Sequence, residues 1–269
     1  MSGRLLIAIL MTIGLTGCSG SAEIPSADQA PTISQISLIN GLMLGRYEGI
    51  VSIRELLAHG DFGLGTMDHL DGELIVLDGH AYQVDGEGNV RNVADERSTP
   101  FATVLPFRGI KTWECPPSRS LSELDARLNA EVPSKNYFVA VRIDARIDSL
   151  TLRSVKRQEP PYRPLSEVAK EQSVWTHKNL SGTLLGIRSP IWAGGLNVPG
   201  THWHFLSDDR SIGGHVLDCA FEKAVSRYDI CREWRIVLDP SDEFGRLDLG
   251  KDLSDALLEV ESARGPQEK

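Results

Sequence analysis

The sequence is short of positive charge: 28 Lys and Arg stand against 37 Asp and Glu, a formal charge of −9. Gripping a phosphate backbone needs a cationic face, so nucleic acid is not an expected partner. A membrane-spanning run is missing at the N-terminus, where the apolar stretch Leu5–Leu15 is about half the roughly 20 residues that cross a bilayer as a helix. Cysteine is scarce, with four in 269 residues and none spaced C-x-x-C, which removes the usual Cys-based zinc and redox motifs. No repeat of solenoid period is visible. Aromatics make up only 6%, yet 41% hydrophobic and 24% charged residues form an ordinary globular composition, so neither disorder nor a fibre fits.

Leu5–Leu15 follows the single charge of Arg4 and ends in Leu15-Thr16-Gly17-Cys18, small residues before a cysteine as in a bacterial lipobox. Residues 1–17 are therefore expected to be a lipoprotein signal peptide and Cys18 the acylated first residue of an exported, membrane-anchored protein on the periplasmic or cell-surface side. Residues 18–34, rich in Ser, Ala and Pro, read as a flexible tether with folding expected to start after it. Cys115, Cys219 and Cys231 then remain, enough for at most one disulfide, and burial as small hydrophobes is the favoured reading.

Ser52-Ile53-Arg54-Glu55 has the pattern of a capping box and predicts a helix over 53–59, with Gly60 as a left-handed stop. Gly60, Gly63 and Gly65 then suggest turns or close backbone approach to a ligand. Residues 73–77 and 80–84 around Asp78-Gly79 predict a type I′ hairpin. Both faces of its first strand are apolar except for Glu73, an odd place for a lone carboxylate. Ser120 and Glu123 start a helix over 120–130, and 138–147 and 150–155 alternate as strands, the second carrying Arg153. Pro160, Pro161 and Pro164 mark the expected junction between an N-terminal domain, 35–160, and a C-terminal metal-binding domain, 161–269. Strands follow at 182–187, 202–206, 215–220 and 234–238.

Three of the seven histidines fall in one window. Period-two geometry puts His202 and His204 on one face of a strand, with Trp203 and Phe205 buried behind, and the turn 207–214 returns His215 on a neighbouring strand. Three converging imidazoles with vacant coordination positions suit a catalytic zinc. A cupin-like metalloenzyme acting on another small oxo acid uses a similar His-x-His, though Asp208 or Asp209 stands where cupins carry Glu. A non-catalytic metal- or solute-binding lipoprotein is a further reading. Asp208 and Asp209 are more simply loop formers, and His59, His69, His80 and His177 have no partner in the sequence.

From about Ile36 to Glu261 the chain resembles the bacterial alpha-acetolactate decarboxylase family. The likeness is carried by Gly60-Asp61-Phe62-Gly63-Leu64-Gly65-Thr66, Asp68-His69-Leu70-Asp71-Gly72-Glu73, Arg157-Gln158 with Pro161-Tyr162, and the window of His202, His204 and His215. It implies an α+β enzyme of two sheet-rich domains with mixed β-sheets and a few short helices, often a homodimer, with zinc on the three histidines. The implied reaction takes (S)-2-acetolactate to (R)-acetoin and CO2, the zinc chelating ketone and hydroxyl oxygens and stabilising an enediolate. Further site residues implied by the resemblance are Thr66, Glu73, Arg153 and Glu261, with Glu259 competing for the last; Thr66 suits substrate binding and Arg153 the carboxylate, Glu73 is the first candidate for proton donor, and Glu261 either shares that role or coordinates the metal. Met67, Thr201 and Trp203 depart from the family pattern, and an acyl anchor is not typical of it.

Overall fold

The computed structural model describes residues 30–262. In chain order its elements are β1 (Thr32–Ile36), α1 (Ile39–Met43), β2 (Val51–Ser52), α2 (Ile53–Leu57), β3 (Phe62–Thr66), β4 (Glu73–Leu77), β5 (His80–Val84), β6 (Val90–Asn92), β7 (Ser98–Thr99), β8 (Phe101–Leu105) and β9 (Lys111–Cys115). Then come α3 (Leu121–Glu131), β10 (Phe138–Ser154), α4 (Leu165–Val168), β11 (Ser173–Ser189), β12 (Gly200–Ser207), β13 (Gly213–Cys231), β14 (Glu233–Val237), α5 (Asp242–Gly245) and α6 (Ser254–Glu261). The architecture is α+β with mixed sheets and short helices, as expected.

Seven strands form one sheet in the order β14-β1-β8-β3-β4-β5-β6, mixed because β1 and β14 run parallel. A five-stranded sheet runs β10-β11-β12-β13-β9, and β10 also pairs with β13, so four strands close into a circuit. Shifts of register between Ala145 and Leu152 bend β10 against β13, as β-bulges do when a sheet must coil. Inside the circuit, alternate residues of β10 (Val139, Val141, Ile143, Ile147) pack with Trp203 and Phe205 of β12 and with Leu124 and Leu128 of α3. The opposite faces of β10–β12 meet the seven-stranded sheet through Leu185, Ile187 and Leu206 against Leu64, Ile75 and Leu77. A third cluster, of α1, α4 and α6 with Tyr47, Leu70 and Phe101, covers one end of this seam.

The local signals act as their chemistry requires. Ser52 accepts from the Glu55 amide and Glu55 reaches back to the Ser52 amide, giving the full capping box of α2. Asp78 and Gly79 take φ of 52° and 76° between β4 and β5. Leu74 and Val76 enter the cluster under α2 while Ile75 and Leu77 enter the seam, which explains the two apolar faces of β4.

Four expectations need correction. The two strands expected at 138–147 and 150–155 are one, β10. The tether ends earlier than residue 34: Thr32–Ser34 already pair with β14, and Ile33 is fully buried, a long-range pairing that local composition does not encode. Cys18 and most of the tether lie outside the described residues. The junction near residue 160 separates strands of one sheet, because β10 and β11 pair along their length and β14 returns to the first sheet. Prolines break the ladder there without dividing the sheets. Finally, the glycine-rich segment is no turn: Gly63 and Gly65 lie in β3, where a Cβ would collide with the β8 backbone at Thr103 and Phe101. Gly60 has no positive φ, and its Cβ would strike the Leu105 backbone.

The close approach at Gly65 predicts that Gly65→Ala destabilises the protein by about 1–3 kcal/mol through overpacking. Gly245→Ala, where a Cβ meets nothing within 4 Å, should cost less. Chemical denaturation of the two variants beside wild type reads the difference.

Candidate active site

Strand register assembles the site. His204 on β12 stands opposite His215 on β13, and His215 stands opposite Arg153 on β10. His202, two residues before His204, shares its face, while Trp203 points into the core and donates from Nε1 to Asp125 Oδ1 at 2.9 Å. From the facing sheet, Thr66 on β3 is paired with Glu73 on β4. Glu261 arrives on the last turn of α6, whose Leu257 and Val260 are buried.

The three imidazoles form one cluster, with potential ligand atoms all within 4.8 Å of one another. His202 Nε2 lies 2.9 Å from His215 Nδ1. His204 Nδ1–H donates to the Leu74 carbonyl at 3.1 Å, which fixes the tautomer and leaves Nε2 as an acceptor. That Nε2 is buried without a hydrogen-bond partner. Burial, reinforced by the Arg153 charge, lowers the pKa of His202 to about 3. His204 is held well below the usual imidazole range by burial, then by His202 and Arg153; for His215 the order is burial, then Arg153. Neutral rings and an orphaned nitrogen fit a divalent ion of borderline softness.

Beside the imidazoles, Arg153 Nη1 contacts Glu73 Oε1 at 3.1 Å and Nη2 contacts Glu261 Oε1 at 3.4 Å. Glu73 Oε2 is 3.4 Å from His204 Nε2, and Glu261 Oε2 is 3.7 Å from His215 Nε2 and 3.8 Å from His202 Nε2. Burial pushes the Glu73 carboxyl up to about 7, Arg153 opposing and Glu261 adding to the rise. The Glu261 pKa is likewise raised by burial against the pull of Arg153. Arg153 Nε is buried and unpartnered. A cavity of about 40 Å³ is bordered by Thr66, Leu70, Glu73, Arg153, His202 and Glu261.

All seven residues expected at a site are thus gathered in one place. Thr66 donates its hydroxyl to the Gly72 carbonyl at 2.7 Å, so its oxygen is left to accept. Glu259 is exposed on α6, whereas Glu261 reaches the cluster. Asp209 stays in the β12–β13 turn, where hydrogen bonds from Ser207 and Ser211 hold its carboxyl down at about 2. Cys115, Cys219 and Cys231 are free and buried. Sequence reasoning missed the apolar wall of Leu70, Leu165 and Val260, since nothing in the pattern distinguishes a cavity-lining Leu from a core one. It also missed the partner of His69, which is Tyr162.

If the cluster is an ion site, His204→Ala should cost more divalent-ion affinity than the about 10–100-fold typical of losing a supporting partner. Titration of the metal-free protein with zinc, followed by metal analysis, measures it.

Residues 33–251 match the family model for alpha-acetolactate decarboxylase. Among the relatives is the alpha-acetolactate decarboxylase of Methanosarcina mazei, 42% identical over 236 residues that cover 88% of this chain and 82% of that protein. The alpha-acetolactate decarboxylase of Raoultella terrigena is 40% identical over 228 residues, 84% of this chain and 87% of its own. In three dimensions the crystal structure of alpha-acetolactate decarboxylase from Bacillus subtilis strain 168 superposes with a TM-score of 0.83 at 31% identity, covering 86% of this chain and all of that one. Fold, histidine cluster and sequence agree that the chain belongs to the alpha-acetolactate decarboxylase family, whose members are carboxy-lyases.

Proposed function

We propose that this enzyme converts (S)-2-acetolactate to (R)-acetoin and CO2, with a zinc ion held by His202, His204 and His215. The observation that supports this most is the meeting of three neutral imidazoles with a buried arginine flanked by two carboxylates. When bound, the ion supplies Lewis acidity at the ketone and hydroxyl oxygens of the substrate, typically several kcal/mol of transition-state stabilisation.

The protein's own groups do the rest. Arg153 offers a planar, permanently charged fork, with a free Nε and two Nη groups now shared between Glu73 and Glu261. It holds the carboxylate so that the breaking C–C bond overlaps the adjacent carbonyl. Thr66, its own proton committed to Gly72, accepts a hydrogen bond from the substrate hydroxyl. As CO2 leaves, the electron pair of the broken bond must be met by a proton on one face of the former α-carbon. Glu73, the more deeply buried of the two carboxyl groups, delivers it. Glu261 closes the opposite side beside His202 and His215. Leu70, Leu165 and Val260 keep water from the cavity.

Glu73→Gln and Arg153→Ala should keep one zinc per chain and lose about 10²–10⁴-fold in kcat, while His204→Ala loses both metal and activity. Acetoin formation and CO2 release, measured beside metal content, check this. Wild-type protein carrying stoichiometric zinc and releasing no CO2 would refute the assignment.

We also propose that acylation of Cys18 tethers the enzyme to a membrane. Among the described residues no helix is long and apolar enough to cross one. Cys18→Ser should move the protein from the membrane fraction to the soluble fraction, without change in its turnover.

A further inference from the structure

The loop between β3 and β4 carries an unusual backbone. His69 and Leu70 take φ of 59° and 54°, followed by Gly72 at 84°. The left-handed region is costly for any residue with a Cβ, and a branched leucine gains nothing there from a local side-chain hydrogen bond. Residues in such conformations persist where surrounding contacts over-determine them. Here the contacts converge on His69. Its N–H donates to the Tyr47 carbonyl at 2.7 Å and its own carbonyl accepts from the Gln158 amide at 2.8 Å. Its ring nitrogen Nδ1 receives the Tyr162 hydroxyl at 2.5 Å, and Nε2 faces Asp68 Oδ2 at 3.5 Å. Asp68 in turn accepts from the Gly49 amide at 2.6 Å.

The Leu70 side chain projects into the cavity next to Thr66 and Glu73. Tyr162 comes from the segment that leads into α4, whose Leu165 lines the same cavity. One side-chain hydrogen bond thus joins two of the three segments that carry the apolar wall, those of Leu70 and Leu165, and neither of its residues borders the cavity itself. The Tyr162 ring is braced independently, edge to face on Tyr47 with centroids 5.1 Å apart. Burial, with Glu48 and Asp68, pushes the phenol up to about 12, so it keeps the proton it donates.

We propose that His69 and Tyr162 are positioning residues: their hydrogen bond locks His69-Leu70 in the left-handed conformation and so fixes Leu70 as the wall that meets the substrate's alkyl groups. The inference rests on the substrate proposed above. The pair sets how much room the cavity leaves beside the reacting carbon, and therefore how well the enzyme separates a methyl substituent from an ethyl one. A single methylene is typically worth about 10–200-fold in such a pocket, provided the wall does not yield.

Two measurements on the zinc-loaded enzyme test this. Amide hydrogen exchange at Met67, Asp71 and Gly72, whose N–H groups are bonded within the loop, reads the lock without reference to activity. The ratio of kcat/KM for acetolactate to that for its homologue with an ethyl group on C2 reads the consequence. Tyr162→Phe, which keeps the ring on Tyr47, should speed exchange at these amides about tenfold and narrow the substrate ratio about fivefold, with metal content unchanged. His69→Asn keeps an acceptor near the position of Nδ1 and tolerates positive φ, so it should preserve both readouts, whereas His69→Ala should mimic Tyr162→Phe. Unchanged exchange in Tyr162→Phe overturns the lock, and faster exchange with an unchanged ratio overturns its role in selection. Should wild type turn over neither substrate while exchange still responds, the lock stands and the proposed substrate falls.

Discussion

The pairing of His204 with His215 across β12 and β13, and of His215 with Arg153 across β13 and β10, sets three functional side chains side by side on one face of a closed sheet. Side-chain direction alternates strictly along a strand, so a slip of one residue in either ladder would turn its whole set toward the core. Trp203 and Phe205 oppose such a slip, because their burial behind β12 requires the histidines to face the seam. The slot for Trp203 exists because Gly186 lies directly opposite on β11, where a Cβ would press into the indole ring. Imidazole placement is thus coupled to hydrophobic packing on the reverse of the same strand.

Charge is the second constraint. With both carboxyl groups ionised, Arg153, Glu73 and Glu261 would carry an excess of one negative charge among imidazoles that burial keeps neutral, and the proton that Glu73 holds as donor removes it. Taking carboxylates out of water is expensive, and one arginine does not fully balance two of them. Burial displaces both carboxyl groups upward against the pull of Arg153, and for Glu73 the neighbouring Glu261 adds to the rise. Beside that neutral group, a dication among the histidines would leave net positive charge to receive an anionic substrate.

Much of this was legible in the chain. Period two around Trp203 identified the face of His202 and His204, the Asp78-Gly79 turn fixed the register of β4, and Glu73 stood out as a carboxylate among apolar neighbours. The α2 and α3 caps are local hydrogen-bonding patterns and were readable as such. What stayed hidden depends on distant partners. The Gly63 and Gly65 pattern looked like a turn because the close approach of β8 comes from residues some 40 positions away. Prolines at 160–164 looked like a domain boundary because the pairing of β10 with β11 is invisible to composition. The choice between Glu259 and Glu261 needed the burial of Leu257 and Val260 to set the rotation of α6. His69 appeared solitary because Tyr162 is 93 residues away.

The parallel pairing of β1 with β14 brings Thr32 beside Glu233, and the first sheet is incomplete without it. The second sheet likewise needs β13, which ends at Cys231. The cluster under α2 is built almost wholly from residues 36–104, but neither sheet closes without strands from residue 213 onward, and contacts of this separation incur loop-closure entropy before they return any stabilisation. Neither sheet can therefore be completed before residues 213–237 are available. Until then the partners of those strands present unpaired edges, the kind of surface that pairs with other chains.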